Sequence, residues 1–365
     1  MKLLSEIKIG DLTLKNRVIM APLTRNRSTI DRVPSSLNIK YYTQRAEAGL
    51  IITESTAVSP SGVGYVNAPG IYTKEQIDGW RKVTDKVHER GGMIFVQLFH
   101  VGRISHPDFL GGKQPVAPSA IKPNGQVYTY EGYKDYVRPK MLELDEITQI
   151  VEDFKIAAKN AQTAGFDGIE IHAANGYLIN QFIDDVSNTR TDIYGGVVEN
   201  RSRLLFEILE AVSQIWDSTK IGVRLSPSGV FNDVGDSASK STYQFIIEKL
   251  NNYNLGYLHL MNPMMPIDHN TEMITNVAQY YGKFYKGHLM ANGGYSRDTG
   301  NEIIESKEAD MVAYGRLFIA NPDLPTRFLL DAELNSPDQE TFYGGNEKGY
   351  TDYPFLAHNP NLIKS

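Results

Sequence analysis

Three polar side chains stand at the end of a short apolar run in the middle of the chain. The run covers residues 168–172, and His172, Asn175 and Tyr177 lie within six positions of one another. An imidazole and a carboxamide can donate two hydrogen bonds to one electronegative oxygen, and a phenol with a pKa of about 10 can deliver a proton nearby. Two donors and an acid suit reduction of an activated C=C bond, in which the donors polarise a carbonyl or nitro oxygen. The alternative is a capped strand end with a buried histidine and a core tyrosine.

Eight apolar runs of this kind recur along the chain, each followed by a segment with helical periodicity. Such a series, without a linker or a break in composition, predicts a (β/α)8 TIM barrel. A doubly wound sheet is the alternative, since periodicity alone does not show that a sheet closes. In a barrel, active sites lie at the carboxyl ends of the strands, where His172 ends its run. The predicted strands are residues 18–21, 50–53, 93–98, 168–172, 221–225, 257–260, 288–291 and 311–314.

Two segments depart from this strand and helix pattern. Residues 6–16 predict an N-terminal β-hairpin with Gly10 and Asp11 at its turn, and a hairpin placed there can cap the bottom of the barrel. Residues 99–144, after the third strand, contain five prolines and several glycines interleaved with tyrosines. A long loop excursion of this kind inside a compact domain is usually a lid or a binding loop.

The composition limits the class of protein. The 365 residues include 41% hydrophobic and 22% charged residues, ordinary usage for a globular chain, and we interpret residues 1–365 as a single domain. A net charge of -6 without a cluster of Lys and Arg argues against nucleic acid as a partner. The N-terminal apolar stretch is too short for a signal sequence, and no run approaches the roughly 18 apolar residues of a membrane span.

The chain contains no cysteine. Disulfide scaffolds, thiol nucleophiles, iron–sulfur clusters and cysteine-ligated zinc are therefore excluded, and a reducing, cytoplasmic location is predicted. No other metal site is predicted, because His172 and Asn175 have no evident third ligand. The glycine-rich dinucleotide and phosphate-loop motifs, the G-x-S-x-G elbow and H-E-x-x-H are also absent.

The central segment resembles the signature of the Old Yellow Enzyme family of FMN-dependent ene-reductases. The match begins with HAANGYLINQFIDD and continues through NTRTDIYGG and ENRSRLLFEIL. Further matches along nearly the whole chain are NRVIMAPLTRNRS, VQLFHVGRISH, GVRLSP, YGRLFIANPDLPTRF and TFYGGNEKGYTDYP. In detail the chain is most similar to the bacterial N-ethylmaleimide and nitrate-ester reductase branch.

The resemblance implies a role for each of the three polar residues. His172 and Asn175 bind the electron-withdrawing oxygen of the substrate, and the family uses either Asn or His at the second of these positions. The N5 atom of FMN gives a hydride to the β-carbon, and Tyr177 protonates the α-carbon from the opposite side. NAD(P)H reduces the flavin in a separate half-reaction.

The resemblance also implies which residues hold FMN. Arg224 stands where the family places a cation beside the negative charge of the reduced ring. Gln97 matches an amide at the pyrimidine edge, and Thr24 matches a hydroxyl that bonds flavin O4. Each has an alternative as an ordinary polar residue of a barrel strand or turn. The other residues assigned to FMN are Pro22, Leu23 and Ser55 at the ring, and Gly293, Gly294, Gly315 and Arg316 at the phosphate.

A few positions bear on substrate choice within the family. Phe99 stands where several relatives carry Trp, which predicts a larger pocket or a shifted preference. Tyr65 and Tyr343 match family positions over the substrate face. Met264 and Met265 follow the sixth strand where an aromatic residue is common, and methionine packs adaptably. Core packing is the alternative for all five.

The predicted function is NAD(P)H-dependent reduction of electron-poor alkenes such as enones, maleimides and nitroalkenes. The absence of cysteine excludes two branches of the family, the dienoyl-CoA reductases with their iron–sulfur cluster and the thermophilic-like enzymes with Cys at the position of Thr24. Three alternatives stay open: a reductase of nitrate esters or nitroaromatics, a non-catalytic flavin-binding protein, and a flavin-free barrel such as an aldolase or glycosidase.

Overall fold

Eight parallel strands form a closed barrel in the computed structural model, which describes residues 1–267 and 271–356. The first strand pairs with the eighth as well as with the second, and every other neighbour in the ring is paired. The barrel prediction is therefore confirmed, and the doubly wound sheet is excluded. Strands β1 to β8 are Val18–Met20, Leu50–Ile52, Ile94–Phe99, Gly168–Ala173, Ile221–Leu225, Tyr257–Met261, Leu289–Asn292 and Met311–Tyr314.

The predicted strand boundaries agree with the observed ones to within one residue. β5 and β8 have the predicted ends, whereas the other six strands differ by one residue at one or both ends. The differences are small because each strand is a mostly apolar run that is buried on both sides, as is usual in parallel sheets.

Helices surround the barrel. The longest, Leu144–Thr163, begins where the Glu143 N–H donates to the Glu146 carboxylate and ends just before Gly165, which has a φ of 82°. Within the described residues, helices α1 to α11 are Ser36–Gln44, Lys74–His88, Leu144–Thr163, Leu178–Ile183, Val198–Arg201, Arg203–Ser213, Ser239–Leu250, Val277–Tyr281, Arg297–Glu305, Arg316–Ala320 and Leu324–Leu330.

Alternation along the strands separates two environments. One set of side chains, such as Ile169, Ile171 and Val223, packs outward against the helices. The other set points into the barrel, where its members change in character along the axis. Towards the amino ends they are apolar: Ile19, Leu50, Phe95, Tyr257, Met290 and Met311. Towards the carboxyl ends they are polar and buried: Gln97, Glu170, His172, Arg224, His259 and Asn292.

The N-terminal hairpin lies at the amino end of the barrel. Strands Ile7–Ile9 and Leu12–Leu14 pair antiparallel, with Ile7 opposite Leu14. Their apolar side chains belong to the same cluster as the apolar interior of the barrel. At the turn, Gly10 has a φ of 56° and approaches Thr219, just before β5, so closely that a Cβ would overlap the threonine hydroxyl.

The excursion after β3 contains a second hairpin. Strands Gln126–Thr129 and Gly132–Asp135 pair antiparallel, and Val116–Ala117 pairs with Lys140–Met141. Tyr136, which follows this hairpin, is buried in a cluster with Val101, Ile104 and Tyr177. The excursion therefore reaches the end of β4, although its role as a lid stays a prediction.

No helix in residues 1–267 and 271–356 is long and apolar enough to cross a membrane. The single-domain prediction for residues 1–365 includes 268–270 and 357–365, which lie outside the described residues, and it stays a prediction.

Candidate active site

The chain makes a tight turn where β4 ends. His172 lies on the strand, Asn175 and Gly176 follow with φ values of 58° and 75°, and Tyr177 caps the start of α4. Asn is among the few non-glycine residues that tolerate this left-handed conformation. At Gly176 a Cβ would lie 2.5 Å from the carbonyl oxygen of Phe231, so only glycine fits beneath the loop after β5.

Tyr177 is at the centre of an aromatic cluster that contains three other predicted residues. Its hydroxyl lies 2.8 Å from that of Tyr65. Its ring centroid is 5.5 Å from Phe99 and 5.1 Å from His172, in edge-to-face arrangements. The structure therefore brings together residues that lie more than a hundred positions apart in the sequence.

Burial controls the protonation of this cluster. It raises the pKa of Tyr177 to about 12, and it raises the pKa of Tyr65 well above its ordinary value. Both phenols therefore keep their protons at neutral pH, and Tyr177 can act as a proton donor.

His172 is buried and neutral. Burial lowers its pKa well below the ordinary value, and the charge of Arg224, which lies abreast of it on β5, lowers it further. The Nδ1 atom has no hydrogen-bond partner within the described part of the chain. A buried nitrogen left in this way is unusual in a folded protein, and it is available to a bound molecule.

The backbone of Asn175 is held by the strand and loop that follow it in the barrel. Its N–H donates to Ser226 Oγ at 2.9 Å, and its carbonyl accepts a hydrogen bond from Asn232 Nδ2 at 2.8 Å. The residue lines a cleft whose outer wall contains Phe231, Met264 and Met265. The predicted methionine pair therefore lies beside the predicted donor, on exposed loop segments.

Most of the predicted ring-binding residues lie in or just above the polar interior of the barrel. Arg224 donates from Nη2 to Asn292 Oδ1 at 2.9 Å, and its Nε has no partner among the described residues. Gln97 accepts a hydrogen bond from Ser55 Oγ at 2.5 Å and donates from Nε2 to Glu170 at 2.7 Å. These side chains come from β3, β4, β5 and β7 and from the segment after β2, so closure of the barrel places them together.

The residues assigned to the phosphate lie in the turns after β7 and β8. Gly293 and Gly294 have φ values of 102° and 84°, and within the described residues only Gly294 itself and its chain neighbours lie within 4 Å of the position of a Cβ on Gly294. Gly315 and Arg316 are at the start of α10. A Cβ on Gly315 would be 3.3 Å from Leu23, so the segment after β1, which also contains Pro22 and the partly buried Thr24, adjoins this turn.

These features fit FMN. A buried guanidinium with a free Nε suits the ring, whose negative charge grows on reduction, and the open glycine backbone suits a phosphate. Tyr343 is 70% exposed and lies near the tyrosine pair, since its charge contributes to the raised pKa of both Tyr177 and Tyr65. Its assignment to the substrate stays a prediction.

Several residues of the site were not predicted from the sequence. Glu170 had a recognisable signal, because it precedes His172 by two positions on the same strand and must therefore face the barrel interior as well. His259, which bonds to Glu170, lies on β6 and is not close in sequence to the three polar residues at the end of β4. Ser226 and Asn232 contact Asn175 from a neighbouring strand end and loop, and nothing in their local sequence indicates it.

Comparison with protein families and curated proteins places the whole chain among flavin oxidoreductases. The model of the NADH:flavin oxidoreductase / NADH oxidase family matches residues 2–335. Putative 12-oxophytodienoate reductase 2 of Oryza sativa subsp. japonica is 44% identical over 357 residues, covering 97% of this chain and 94% of the relative. Flavin oxidoreductase hxnT of Emericella nidulans is 41% identical over 378 residues and is covered to 97%, as is this chain.

Solved structures agree in fold and in sequence. Morphinone reductase superposes with a TM-score of 0.92 at 44% identity, covering 97% of this chain and 96% of that one. The Old Yellow Enzyme homologue from Zymomonas mobilis superposes with a TM-score of 0.94 at 42% identity, covering 98% of this chain and 100% of that one. Morphinone reductase has also been solved in complex with tetrahydroNAD, with a TM-score of 0.92 to this chain. The assignment to the N-ethylmaleimide and nitrate-ester reductase branch stays a prediction.

Proposed function

The chain belongs to the NADH:flavin oxidoreductase / NADH oxidase family, the family of Old Yellow Enzyme, and from that premise we propose that Tyr177 is the acid with which it reduces electron-poor alkenes. The protein is an FMN-dependent oxidoreductase that takes its electrons from NAD(P)H. The relatives named as 12-oxophytodienoate and morphinone reductases support enones as one substrate class.

The observation that carries the proposal is the environment of Tyr177. Its hydroxyl is buried, it is hydrogen-bonded to a second phenol, and burial raises its pKa to about 12. A phenol in this state holds its proton until a stronger base forms beside it, and the carbon next to a polarised carbonyl becomes such a base once the β-carbon is reduced. Tyr177 then protonates that α-carbon.

His172 and Asn175 polarise the substrate. Two donors aimed at one oxygen stabilise the negative charge that develops there during reduction. Because His172 is neutral, it donates a hydrogen bond without giving up its proton, so the acid and the polarising groups are different residues. Enones, maleimides and nitroalkenes each carry an oxygen that can accept these two hydrogen bonds.

FMN, when bound, supplies the hydride that adds to the β-carbon. Arg224, Gln97 and Thr24 would hold its ring, with Pro22, Leu23 and Ser55 beside it. The phosphate would bind at Gly293, Gly294, Gly315 and Arg316. Because NAD(P)H and the alkene would use the same barrel mouth in turn, ping-pong kinetics are expected.

One anaerobic titration tests the proposal. The purified protein should show an oxidised flavin band that bleaches with NADPH and returns on addition of 2-cyclohexenone. The same experiment on Tyr177→Phe should bleach normally and return slowly. A band that bleaches but does not return with any enone, maleimide or nitroalkene would contradict alkene reduction.

The main alternative is a reductase of nitrate esters or nitroaromatics. The oxygens of a nitrate ester or nitro group can accept hydrogen bonds from the same two donors. The cleft beside Asn175 is also lined by Met264 and Met265, whose side chains can adapt to different substrates. Specificity constants for 2-cyclohexenone and for a nitrate ester, measured on one preparation, separate the two. If alkene reduction is the faster reaction, we expect its rate to fall in Tyr177→Phe.

A cytoplasmic location is part of the same proposal. The absence of cysteine fits a reducing compartment, and NAD(P)H is available there. Fractionation of the native host, with the protein detected by antibody, tests it. Recovery with the membrane or secreted fraction would contradict it.

A further inference from the structure

Glu170 is a buried acid next to the site that the proposed reaction does not use. It lies on β4 with 0% exposure, two positions before His172, and it is the register partner of Gln97 on β3. Buried carboxylates are costly unless they are paired, so its presence in the barrel interior calls for an explanation.

The contacts of Glu170 determine the orientation of Gln97. One carboxylate oxygen accepts a hydrogen bond from Gln97 Nε2 at 2.7 Å, and the other accepts one from His259 Nδ1 at 2.9 Å. A carboxylate can only accept, so the amide nitrogen of Gln97 must face it. The amide oxygen then faces Ser55, whose hydroxyl donates to it.

The contacts also keep Glu170 charged. Burial raises its pKa, whereas the hydrogen bonds from His259 and Gln97 and the charge of Arg224 oppose burial and favour the charged form. Burial lowers the pKa of His259, which therefore stays neutral and donates from Nδ1. The polar layer, which we define as the buried side chains at the carboxyl end of the barrel interior, thus contains the negative charge of Glu170 close to the positive charge of Arg224. Its members are Gln97, Glu170, His172, Arg224, His259 and Asn292.

We propose that Glu170 is a positioning residue that orients the Gln97 amide and, through its negative charge, weakens the preference of the site for reduced over oxidised FMN. The inference rests on the proposed function, since it assumes that FMN lies over Gln97 and Arg224. Reduced flavin carries more negative charge than oxidised flavin, so a fixed anion beneath the ring opposes reduction, whereas Arg224 favours it.

Replacing the carboxylate with an amide tests both parts of the inference. In Glu170→Gln the negative charge is lost. The new side-chain amide can present its nitrogen to Gln97, and the Gln97 amide would then rotate so that its oxygen accepts this hydrogen bond. We expect the ratio of oxidised to reduced FMN dissociation constants to rise about tenfold, equal to a rise in reduction potential of about 30 mV for a two-electron couple.

The measurement is a redox titration of the flavin-loaded enzyme against a reference dye, which does not depend on turnover. Glu170→Asp, which keeps the charge, should stay closer to the wild-type potential. Glu170→Met matches the volume without a polar atom to bury, and it should also raise the potential. It is a second variant without the charge, and because it leaves the donors of Gln97 and His259 unpaired, its fold is checked by circular dichroism before the titration.

Asp184→Asn is the matched control. Asp184 is also a buried carboxylate, but it lies at the end of α4 and bonds to Tyr243 rather than to the polar layer. Its replacement should leave the potential unchanged. An unmoved potential in both Glu170→Gln and Glu170→Met would overturn the inference. A wild-type protein that binds no flavin would instead overturn the proposed function, and this inference with it.

Discussion

The hydroxyl oxygens of Tyr65 and Tyr177 lie 2.8 Å apart, at the end of β4 where the proposed proton transfer takes place. Either phenol can be the donor of this hydrogen bond. The bond lowers the pKa of Tyr177, in opposition to the larger effect of burial. Tyr65 is therefore placed both to keep the acid from becoming too weak and to stabilise the tyrosinate that forms when the proton leaves.

Replacing Tyr177 with Phe should separate the two half-reactions. Loss of a positioned general acid typically costs between about 10² and 10⁴ in rate, so reoxidation by 2-cyclohexenone should slow by that factor. Bleaching by NADPH needs no proton from the phenol and should change little. Stopped-flow absorbance of the flavin band follows both steps. Equal losses in both would count against the assigned role.

Replacing Tyr65 with Phe should have a smaller effect in the same direction. One hydrogen bond is worth about 1 kcal/mol, or roughly fivefold in rate, and its removal should raise the pKa of Tyr177 further. Reoxidation should slow about fivefold while bleaching is unchanged. The double variant with Tyr177→Phe should be no slower than Tyr177→Phe alone, because Tyr65 acts through Tyr177. Additive losses in the double variant would show a separate role for Tyr65.

Changing Asn175 to Asp should weaken phenolic ligands, which mimic the polarised oxygen of the substrate. Asp tolerates the φ of 58° that Asn175 adopts, so the turn should survive while the donor is lost. A hydrogen bond to a charged group is worth about 1.5 to 3 kcal/mol, so the dissociation constant of p-nitrophenol should rise at least tenfold.

The control for Asn175 is Asn124→Ala. Asn124 bonds to Asp233, in the loop that carries Asn232, but it does not contact Asn175. Phenol affinity should stay within about twofold of wild type, a change of less than about 0.5 kcal/mol. A phenol affinity unchanged in Asn175→Asp would rule out the donor pair.

The pH dependence of alkene reduction should reflect the raised pKa of Tyr177. An ordinary tyrosine is half deprotonated at about pH 10, whereas burial raises the pKa of Tyr177 to about 12. A raised pKa keeps the acid protonated at higher pH, so the rate of reoxidation should stay level from pH 8 to about pH 10.5. Single-turnover rates after a pH jump measure it. A fall in rate centred near pH 10, with circular dichroism unchanged, would contradict the prediction.

Asp184→Asn should stabilise the protein at high pH. Burial raises the pKa of Asp184 to about 7, and the charge of nearby Asp236 contributes. Below its unfolded pKa of about 4 the group is protonated in both states, and between about pH 4 and 7 the folded state binds the proton more tightly. The stability that protonated Asp184 contributes is therefore lost progressively as the pH rises towards 7.

Asparagine resembles the protonated acid and does not titrate, so the variant avoids this loss. The difference in free energy of unfolding between the variant and wild type should therefore grow in favour of the variant by roughly 1 to 3 kcal/mol from pH 5 to pH 8. Urea unfolding at the two pH values measures the difference. A variant equally destabilised at both values would mean that the carboxylate is needed for its bond to Tyr243.

The sequence was sufficient to predict the barrel because each strand is a buried, mostly apolar run with a helix after it. It also pointed to His172, Asn175 and Tyr177, which lie within one turn of chain. It did not reveal Glu170, whose charge is hidden inside an apolar run, although the alternation of the strand contains the information. The approach of Asn232 to Asn175 depends on how a loop after another strand closes over the turn, and no local pattern encodes such a contact.

The change from apolar to polar side chains along the inside of the barrel affects how related enzymes can diverge in their substrates. The apolar end and the hairpin beside it contribute to folding, whereas Phe231, Met264 and Met265 lie in loops beyond the polar end and are 41%, 53% and 51% exposed. Substitutions there change few buried contacts and so carry a small stability penalty. New substrate ranges can therefore arise by mutation of these three positions while the polar side chains beneath them are left intact.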